Sequence, residues 1–315
     1  MNLPCVTETP APQTTKNLHF CRKVGCVATA CYTRRVKYRE YGDEKGEPLF
    51  FFHGWPGSAL QGVMFDDAAR EYGFRVIAPN RPGIGDSPLI RGRRLRDWPA
   101  QLAALADDLG IGKFAVIGVS GGGPYALAAA WGLPEQVRFA SVVCGAPPIA
   151  ELAGTQQLHP AYRALLWHFR QNPRAVRALF AAARPVMFWS EAARFFPPLR
   201  IVLPTADAEV IAQQELFDVV FGCQRDAFAN VDGLFADAAI YAEPWGFRVE
   251  DIRVPVHIWH GREDANFHHT LASNLASRIP GASFTLVEGE GHFSLPIRRA
   301  RDVLDALLNC AICAP

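Results

Sequence analysis

The sequence predicts an α/β protein with a mostly parallel central sheet, helices on both faces and an inserted helical lid. Two observations carry this prediction. Short apolar runs that end in glycine- or proline-rich loops alternate with segments of helical apolar spacing, and from 148 to 248 only helical patterns remain. We therefore expect residues 18–147 and 249–315 to form the core, residues 148–248 to form the lid, and residues 1–17 to be a disordered leader.

Each predicted strand before the lid is a short apolar run with a turn signal at its end. The segment Val24–Tyr41 is expected to form a hairpin of two strands. The buried strands that follow it are Leu49–Phe52, Arg75–Ala78, Lys113–Val119 and Ala140–Cys144. Helical apolar spacing predicts the helices between these strands at Ala59–Tyr72, Trp98–Leu109 and Pro124–Trp131.

The lid segment is predicted to contain two helices, Tyr162–Ala183 and Ala206–Val220, which prolines interrupt. Its aromatic side chains are available to line a pocket or to pack the lid itself: Trp167, Phe169, Phe180, Phe188, Trp189, Phe195, Phe196, Phe217, Phe221 and Phe228. After the lid the alternation resumes with the strands Val254–Trp259 and Ser283–Val287 and the helices Leu271–Arg278 and Ala300–Leu308.

Composition narrows the function. The 32 Lys and Arg and 31 Asp and Glu give a formal charge of +1, so no overall field draws the protein to nucleic acid or to an anionic membrane. We expect a small-molecule substrate, no nucleic-acid partner, no stable membrane insertion and, because residues 1–17 lack a secretory signal pattern, a cytoplasmic location. The basic group Arg91, Arg93, Arg94 and Arg96 is expected to be a solvated loop, or else an entrance for anionic substrates. The oligomeric state stays open.

The sequence gives no reason to expect a cofactor or a metal ion. The eight cysteines are expected to be free thiols, and the even spacing of Cys21, Cys26 and Cys31 does not match the paired spacing of zinc sites. The histidines at 257, 260, 268 and 269 also lack carboxylates at matching positions.

The pentapeptide Gly118-Val119-Ser120-Gly121-Gly122 lies where a predicted strand turns into a predicted helix. A Gly-x-Ser-x-Gly pattern in this context is typical of a nucleophilic serine held in a tight turn, whose flanking positions leave no space for a Cβ. An ordinary glycine-rich turn and a phosphate-binding loop use the same place, but a lysine and a dinucleotide-binding glycine spacing are both missing here.

A serine hydroxyl needs a base and an orienting acid, and candidates for both follow later strands. His292 comes after the predicted strand that ends at 287, in a glycine-rich loop, and Asp264 comes after the strand that ends at 259. Glu263 is the rival acid. The remaining requirement is an oxyanion hole, for which the backbone N–H groups of Trp55 and Gly121 are the candidates.

Together these motifs resemble the α/β-hydrolase superfamily, in its lid-bearing serine hydrolase branch of esterases and proline iminopeptidase-like peptidases. The resemblance rests on HGWPGS at 53–58, RPGIGDS at 81–87, GVSGG at 118–122, Asp264 and Gly291-His292. It implies the α/β-hydrolase fold, with the lid inserted after the sixth strand. Epoxide hydrolases and haloalkane dehalogenases of this shape use an aspartate as nucleophile, so the serine at 120 argues against both activities.

We therefore expect a serine hydrolase that cleaves a small ester, lactone, thioester or amide through an acyl-enzyme, with carboxylesterase activity as the first choice. Three alternatives stay open at this point. A proline iminopeptidase-like aminopeptidase needs acidic partners for a substrate amine, and Glu191, Asp207, Glu209, Glu215 and Asp218 are available in the lid segment. An acyltransferase or perhydrolase uses the same three groups, and a ligand-binding protein can keep the fold without turnover.

Overall fold

The computed structural model describes residues 23–28, 35–189 and 203–313, with side chains at 36–189 and 203–309. In this part of the chain one sheet has eight strands in the order β1-β2-β4-β3-β5-β6-β7-β8. The strands are β1 (Lys23–Ala28), β2 (Arg35–Gly42), β3 (Glu47–Phe52), β4 (Phe74–Pro79), β5 (Phe114–Val119), β6 (Val137–Val143), β7 (Val256–Gly261) and β8 (Ser283–Val287). The β1–β2 and β2–β4 pairs are antiparallel and the others are parallel, so the predicted mostly parallel sheet and its first hairpin are confirmed.

The helices connect the parallel strands and also fill the interval between β6 and β7. They are α1 (Asp66–Glu71), α2 (Trp98–Asp108), α3 (Gly123–Gly132), α4 (Pro160–Gln171), α5 (Pro173–Phe188), α6 (Thr205–Ile211), α7 (Gln214–Ala229), α8 (Val231–Ala242), α9 (His269–Arg278), α10 (Ser294–Arg298) and α11 (Ala300–Cys313). The predicted helix at 59–72 is a seven-residue 3₁₀ segment followed by α1.

Two apolar layers cover the sheet because successive side chains of a strand point to opposite faces. Phe50 and Phe52 of β3 pack with α2, α3 and α9, whereas Leu49 and Phe51 pack with α1 and α11. The carboxyl ends of the parallel strands then meet at one edge of the sheet, which is where ligands bind in folds of this kind.

The residues between β6 and β7, called here the helical insertion (148–189 and 203–248 of the described residues), contain α4 to α8. The predictions of single helices from 162 to 183 and from 206 to 220 are both wrong. Helix α6 ends at Ile211, and α7 begins at Gln214. Asn172 ends α4 and caps α5, its side-chain oxygen accepting the Ala175 N–H at 3.1 Å. Pro173 then occupies the first turn of α5, where a proline has no N–H to leave unsatisfied. Pro185 lies within α5 rather than interrupting it. Phe195, Phe196 and Glu191 lie outside the described residues.

Helix α8 was not predicted, and its backbone packs directly against the loop after β4. A Cβ at Gly233 would lie 1.8 Å from the carbonyl oxygen of Gly83, and a Cβ at Gly83 would lie 2.5 Å from the Cα of Gly233. Both positions therefore need glycine for the two backbones to touch. None of the helices in the described ranges is long and apolar enough to cross a membrane.

Candidate active site

Ser120 stands at the turn between β5 and α3, at the carboxyl edge of the sheet. Its φ of 53° lies in the left-handed region, which is strained for a residue other than glycine. The turn is so tight that a Cβ at Gly122 would lie 1.9 Å from the carbonyl oxygen of Phe52, and a Cβ at Gly118 would lie 2.2 Å from that of Gly122. The glycines of the motif thus allow the serine side chain to project above the sheet edge.

The structure brings Ser120, His292 and Asp264 together in one line of hydrogen bonds. The Ser120 hydroxyl donates to Nε2 of His292 at 2.8 Å, and Nδ1–H of His292 donates to Oδ2 of Asp264 at 2.8 Å. All three residues are buried. Glu263, the rival acid, is exposed and takes no part in this line. The arrangement has the geometry of a nucleophile, a base and an orienting acid.

Asp264 is held by more than the histidine. Its Oδ1 accepts the backbone N–H groups of Asn266 at 2.8 Å and Phe267 at 3.0 Å, while Nε2 of His260 lies 3.4 Å from Oδ2. Burial by itself would raise the pKa of Asp264, but the charge of His292, its hydrogen bond and the backbone donors outweigh burial and lower this pKa. The carboxylate therefore stays ionised beside the imidazole.

The pKa of the His292 imidazole changes in the opposite direction. Burial by itself would lower the pKa of His292, but the charge and hydrogen bond of Asp264, together with the charge of Asp207, raise this pKa above its ordinary value of 6.5. A raised pKa makes the neutral imidazole a stronger base toward the serine proton.

The two candidate oxyanion donors adjoin Ser120. A Cβ at Gly121 would lie 2.9 Å from the backbone nitrogen of Trp55, so the two backbones lie against each other. Gly121 is in the first turn of the helical segment that starts at Ser120, where N–H groups have no intrahelical acceptor. Among the described residues the Trp55 N–H also has no hydrogen-bond acceptor. Both donors are therefore available to a negatively charged oxygen.

Hydrogen bonds from backbone and side-chain groups hold the loop that carries Trp55. Nδ1 of His53 lies 2.9 Å from the carbonyl oxygen of Gly54, and the Gln61 side chain accepts the Gly54 N–H at 2.6 Å. Burial lowers the pKa of His53 well below its ordinary value, and the charge of Arg81 acts in the same direction. His53 thus bonds within the loop.

A buried charged network next to this loop was missed by the sequence analysis. Asp237 of α8 accepts from Nε of Arg81 at 3.0 Å, from Nη2 of Arg81 at 2.8 Å, from the Tyr125 hydroxyl at 2.8 Å and from Arg93. Arg81 also donates to the carbonyl oxygens of His53 and Gly54. The expectation that Arg93 belongs to a solvated loop is wrong, because this side chain is buried by its pairing with Asp237.

Two cavities open on either side of the Ser120 hydroxyl. The first, of about 530 Å³, has an apolar wall that includes Ile149, Leu166, Phe169 and Phe267. The second, of about 650 Å³, is lined partly by His292 and by polar uncharged side chains: Gln61, Gln224 and Asn266. No carboxylate, lysine or arginine of the described residues lines either cavity. Of the lid aromatics predicted as candidates, Phe169 lines the first cavity, and Phe180, Phe217, Phe221 and Phe228 pack within the insertion.

One group of side chains in the described residues has ligand atoms close enough to share a metal ion. Cys144, His260 and Asp264 lie within 4.8 Å of one another, and all three are buried. Asp264 and His260 already have hydrogen-bond partners there, since Nε2 of His260 lies 2.9 Å from the carbonyl oxygen of Phe267. The histidines at 257 and 268 bond to Thr285 and Thr270 instead. Cys144 and Cys223 are free thiols, as expected.

Comparison with known proteins shows which proteins this chain is similar to. A family model described as alpha/beta hydrolase fold matches residues 47–297. The chain is 35% identical over 133 residues to a non-heme chloroperoxidase from Streptomyces lividans, covering 40% of this chain and 46% of the relative. It is 30% identical over 120 residues to a bifunctional esterase/perhydrolase from Acinetobacter calcoaceticus, covering 36% and 42%. The matches thus span less than half of the length of these relatives.

Solved structures resemble nearly the whole chain. A bromoperoxidase from Bacillus anthracis superposes with a TM-score of 0.67 at 18% sequence identity, covering 91% of this chain and 99% of that one. At this level of identity the likeness concerns the fold.

Proposed function

Because this chain belongs to the alpha/beta hydrolase fold family, we propose that it is a serine hydrolase that cleaves a small neutral ester through an acyl-enzyme. Ser120, His292 and Asp264 form its catalytic triad. The line of hydrogen bonds from the Ser120 hydroxyl through His292 to Asp264, at the floor of an apolar cavity, carries the proposal. Esters are the first choice because an alcohol leaves more readily than an amine, whose nitrogen must be protonated before it departs.

The reaction follows from the position of each group. Nε2 of His292 takes the Ser120 proton as Oγ attacks the ester carbonyl, and the Trp55 and Gly121 N–H groups stabilise the oxyanion that forms. The imidazolium, stabilised by Asp264, then gives the proton to the departing alkoxide. Water repeats the sequence on the acyl-enzyme, with His292 again accepting and returning a proton, so that the acid is released and Ser120 is regenerated.

We propose that each of the two cavities binds one half of the ester. His292 must reach the leaving oxygen, and it lines the polar cavity but not the apolar one. The alcohol half therefore occupies the polar cavity, where neutral amide side chains offer hydrogen bonds. The acyl half occupies the apolar cavity beside Trp55 and Gly121. We propose that the substrate is an ester of an uncharged, apolar acid with a polar, uncharged alcohol.

A charge on the acyl chain tests this assignment. We expect kcat/KM for p-nitrophenyl hexanoate to exceed that for the mono-p-nitrophenyl ester of adipic acid, of equal chain length, by about 100-fold or more, because the apolar cavity offers a buried carboxylate no partner. Both rates are divided by the uncatalysed hydrolysis rates. Leu165→Arg, which places a cation on α4 at the cavity wall, is expected to bring the kcat/KM values of the two esters closer together. Equal rates for the two esters in the unmodified protein would contradict the assignment.

The pH dependence follows from the raised pKa of His292. The imidazole must be neutral to accept the Ser120 proton, so kcat/KM is expected to fall as the pH drops through a value above 6.5. In Asp264→Asn the midpoint of this acid limb should move to lower pH, because the main group that raises the pKa has lost its charge, and the rate should fall by about 10⁴-fold. A midpoint below pH 6 in the unmodified protein would argue against His292 as the base.

The acidic residues of the insertion do not support an aminopeptidase. Asp207 bonds to backbone N–H groups, Glu209 pairs with Arg298 at the surface, and the exposed Asp218 accepts from Gln214. None of these carboxylates lines the cavities around Ser120. A protonated substrate amine therefore has no counter-charge among the described residues of the site, and this favours an ester substrate.

A further inference from the structure

Two carboxylates of the helical insertion are fully buried, and the proposed reaction uses neither of them. Asp207 of α6 and Asp237 of α8 have exposed fractions of 1% and 0%. Asp207 directly contacts the loop that carries His292, whereas Asp237 acts on the loop that carries Trp55 through Arg81.

Asp207 binds the loop that carries His292. Its Oδ2 accepts the His292 N–H at 2.9 Å, and its Oδ1 accepts the N–H groups of Phe293 at 2.9 Å and Ser294 at 2.8 Å. A Cβ at Gly291 would lie 2.5 Å from Oδ1 of Asp207, so the carboxylate lies flat against this loop. Three consecutive donors give the buried carboxylate the hydrogen bonds that it needs.

Helix α8 binds the oxyanion side. The Tyr241 hydroxyl donates to the carbonyl oxygen of Gly121 at 2.8 Å, and the indole N–H of Trp55 lies 3.4 Å from the carbonyl oxygen of Leu234. Through Arg81, Asp237 also holds the loop that precedes Trp55. The insertion thus contacts both residues whose backbone N–H groups form the proposed oxyanion hole.

We propose that the insertion completes the catalytic site rather than only covering it, and that Asp207 is the positioning residue that keeps His292 between Ser120 and Asp264. This inference rests on the proposed function. If the insertion separates from the core, the His292 loop loses the acceptor of three N–H groups, and the line from Ser120 to Asp264 loses its geometry. Turnover then requires the insertion to be seated.

The charge of Asp207 gives the role a distinct signature. The titratable groups around His292 come from several elements: Asp264 and His260 from β7 and its loop, Cys144 from the end of β6, Tyr162 from α4 and Asp207 from α6. Glu290, in the same loop as His292, pairs with Arg298 and Arg299. Asp207 is the second carboxylate whose charge favours the protonated imidazole. Removing this charge should lower the pH at which His292 titrates, whereas loss of an uncharged contact that leaves His292 in place would not.

Asp207→Asn tests the proposal because it keeps the size of the side chain and removes its charge. We expect kcat to fall by about 10- to 100-fold with KM nearly unchanged, since a small displacement of the base costs about this much. The acid limb of kcat/KM is expected to move to lower pH. Glu209→Gln, on the same helix but exposed and paired with Arg298, is the matched control and should keep both the rate and the pH profile.

An active wild-type protein whose Asp207→Asn variant keeps its kcat, or loses rate with the acid limb in place, would overturn this inference and leave the proposed function standing. The proposed function fails separately, if wild type itself lacks turnover that depends on Ser120. Hydrogen exchange of the wild-type protein keeps the inference testable even where the variant does not fold. The amides of His292, Phe293 and Ser294 should exchange as slowly as those of the central strands, and fast exchange would overturn the proposal.

Discussion

Ser120→Ala is expected to lower the turnover of p-nitrophenyl esters by about 10⁴- to 10⁶-fold, because the variant has no nucleophile to form the acyl-enzyme. The residual rate would come from the oxyanion donors and from binding alone. The change removes one oxygen and keeps the Cβ in the strained turn at φ 53°, so the fold should be retained. Initial rates of the purified variant and wild type, with circular dichroism to show equal folding, provide the measurement.

Ser141→Ala is the matched control for this experiment. Ser141 lies on β6, is fully buried, and its hydroxyl has no hydrogen-bond partner among the described residues. The same removal of an oxygen should therefore leave turnover close to that of wild type. If Ser120→Ala retained full activity on every ester that the wild type accepts, Ser120 could not be the nucleophile.

Asp237→Ala is expected to have the largest effect on stability, lowering the free energy of unfolding by about 3–5 kcal/mol. The variant leaves the buried guanidinium groups of Arg81 and Arg93 without their carboxylate. It also leaves the buried Tyr125 hydroxyl without the carboxylate oxygen to which it donates. Burial by itself would raise the pKa of Asp237, but the charges of the two arginines lower it, so the carboxylate is ionised at neutral pH. Urea unfolding monitored by fluorescence measures the effect.

Asp232→Ala provides the comparison on the same helix. Asp232 pairs with Arg177 and Arg91 at the surface, where solvent screens the ion pairs. Its loss should change the free energy of unfolding by less than about 1 kcal/mol. Equal unfolding midpoints for the Asp237 variant and wild type would show that the buried network does not hold the insertion to the core.

The predicted site residues were accessible to sequence reasoning because each follows directly after a strand. Trp55, Ser120, Asp264 and His292 come after β3, β5, β7 and β8, and the carboxyl ends of parallel strands meet at one edge. Local signals, namely apolar runs and the glycines that a tight turn needs, therefore place all four residues at the same edge. Distances between them require the structure.

The contacts between the insertion and the core were not accessible in this way. Arg81 and Asp237 are separated by 156 positions, and Asp207 by 85 from His292. In the sequence Asp207 is one acid among several on polar helices, and no period distinguishes a buried carboxylate from a solvated one. Arg93 was assigned to a solvated loop for the same reason. Such pairings depend on how two surfaces that are distant in the sequence meet.

The missed break between α4 and α5 and the missed helix α8 have different causes. The break has a local signal, because Asn172 before Pro173 is a typical helix start, but apolar residues continue at helical spacing on both sides of it. The sequence signal for helix α8 is weaker. Its residues are apolar nearly all round, and Gly233 within its first turn lowers helix propensity, yet this glycine allows the contact with Gly83.

The central claim is that Ser120 is the nucleophile, and covalent labelling tests it most directly. The native protein is incubated with a fluorophosphonate probe and digested, and the modified peptide is identified by mass spectrometry. We expect one phosphonylated residue, Ser120, with labelling lost in Ser120→Ala and kept in Ser141→Ala. A folded wild-type protein that takes up no probe, or takes it up at another residue, would contradict the account.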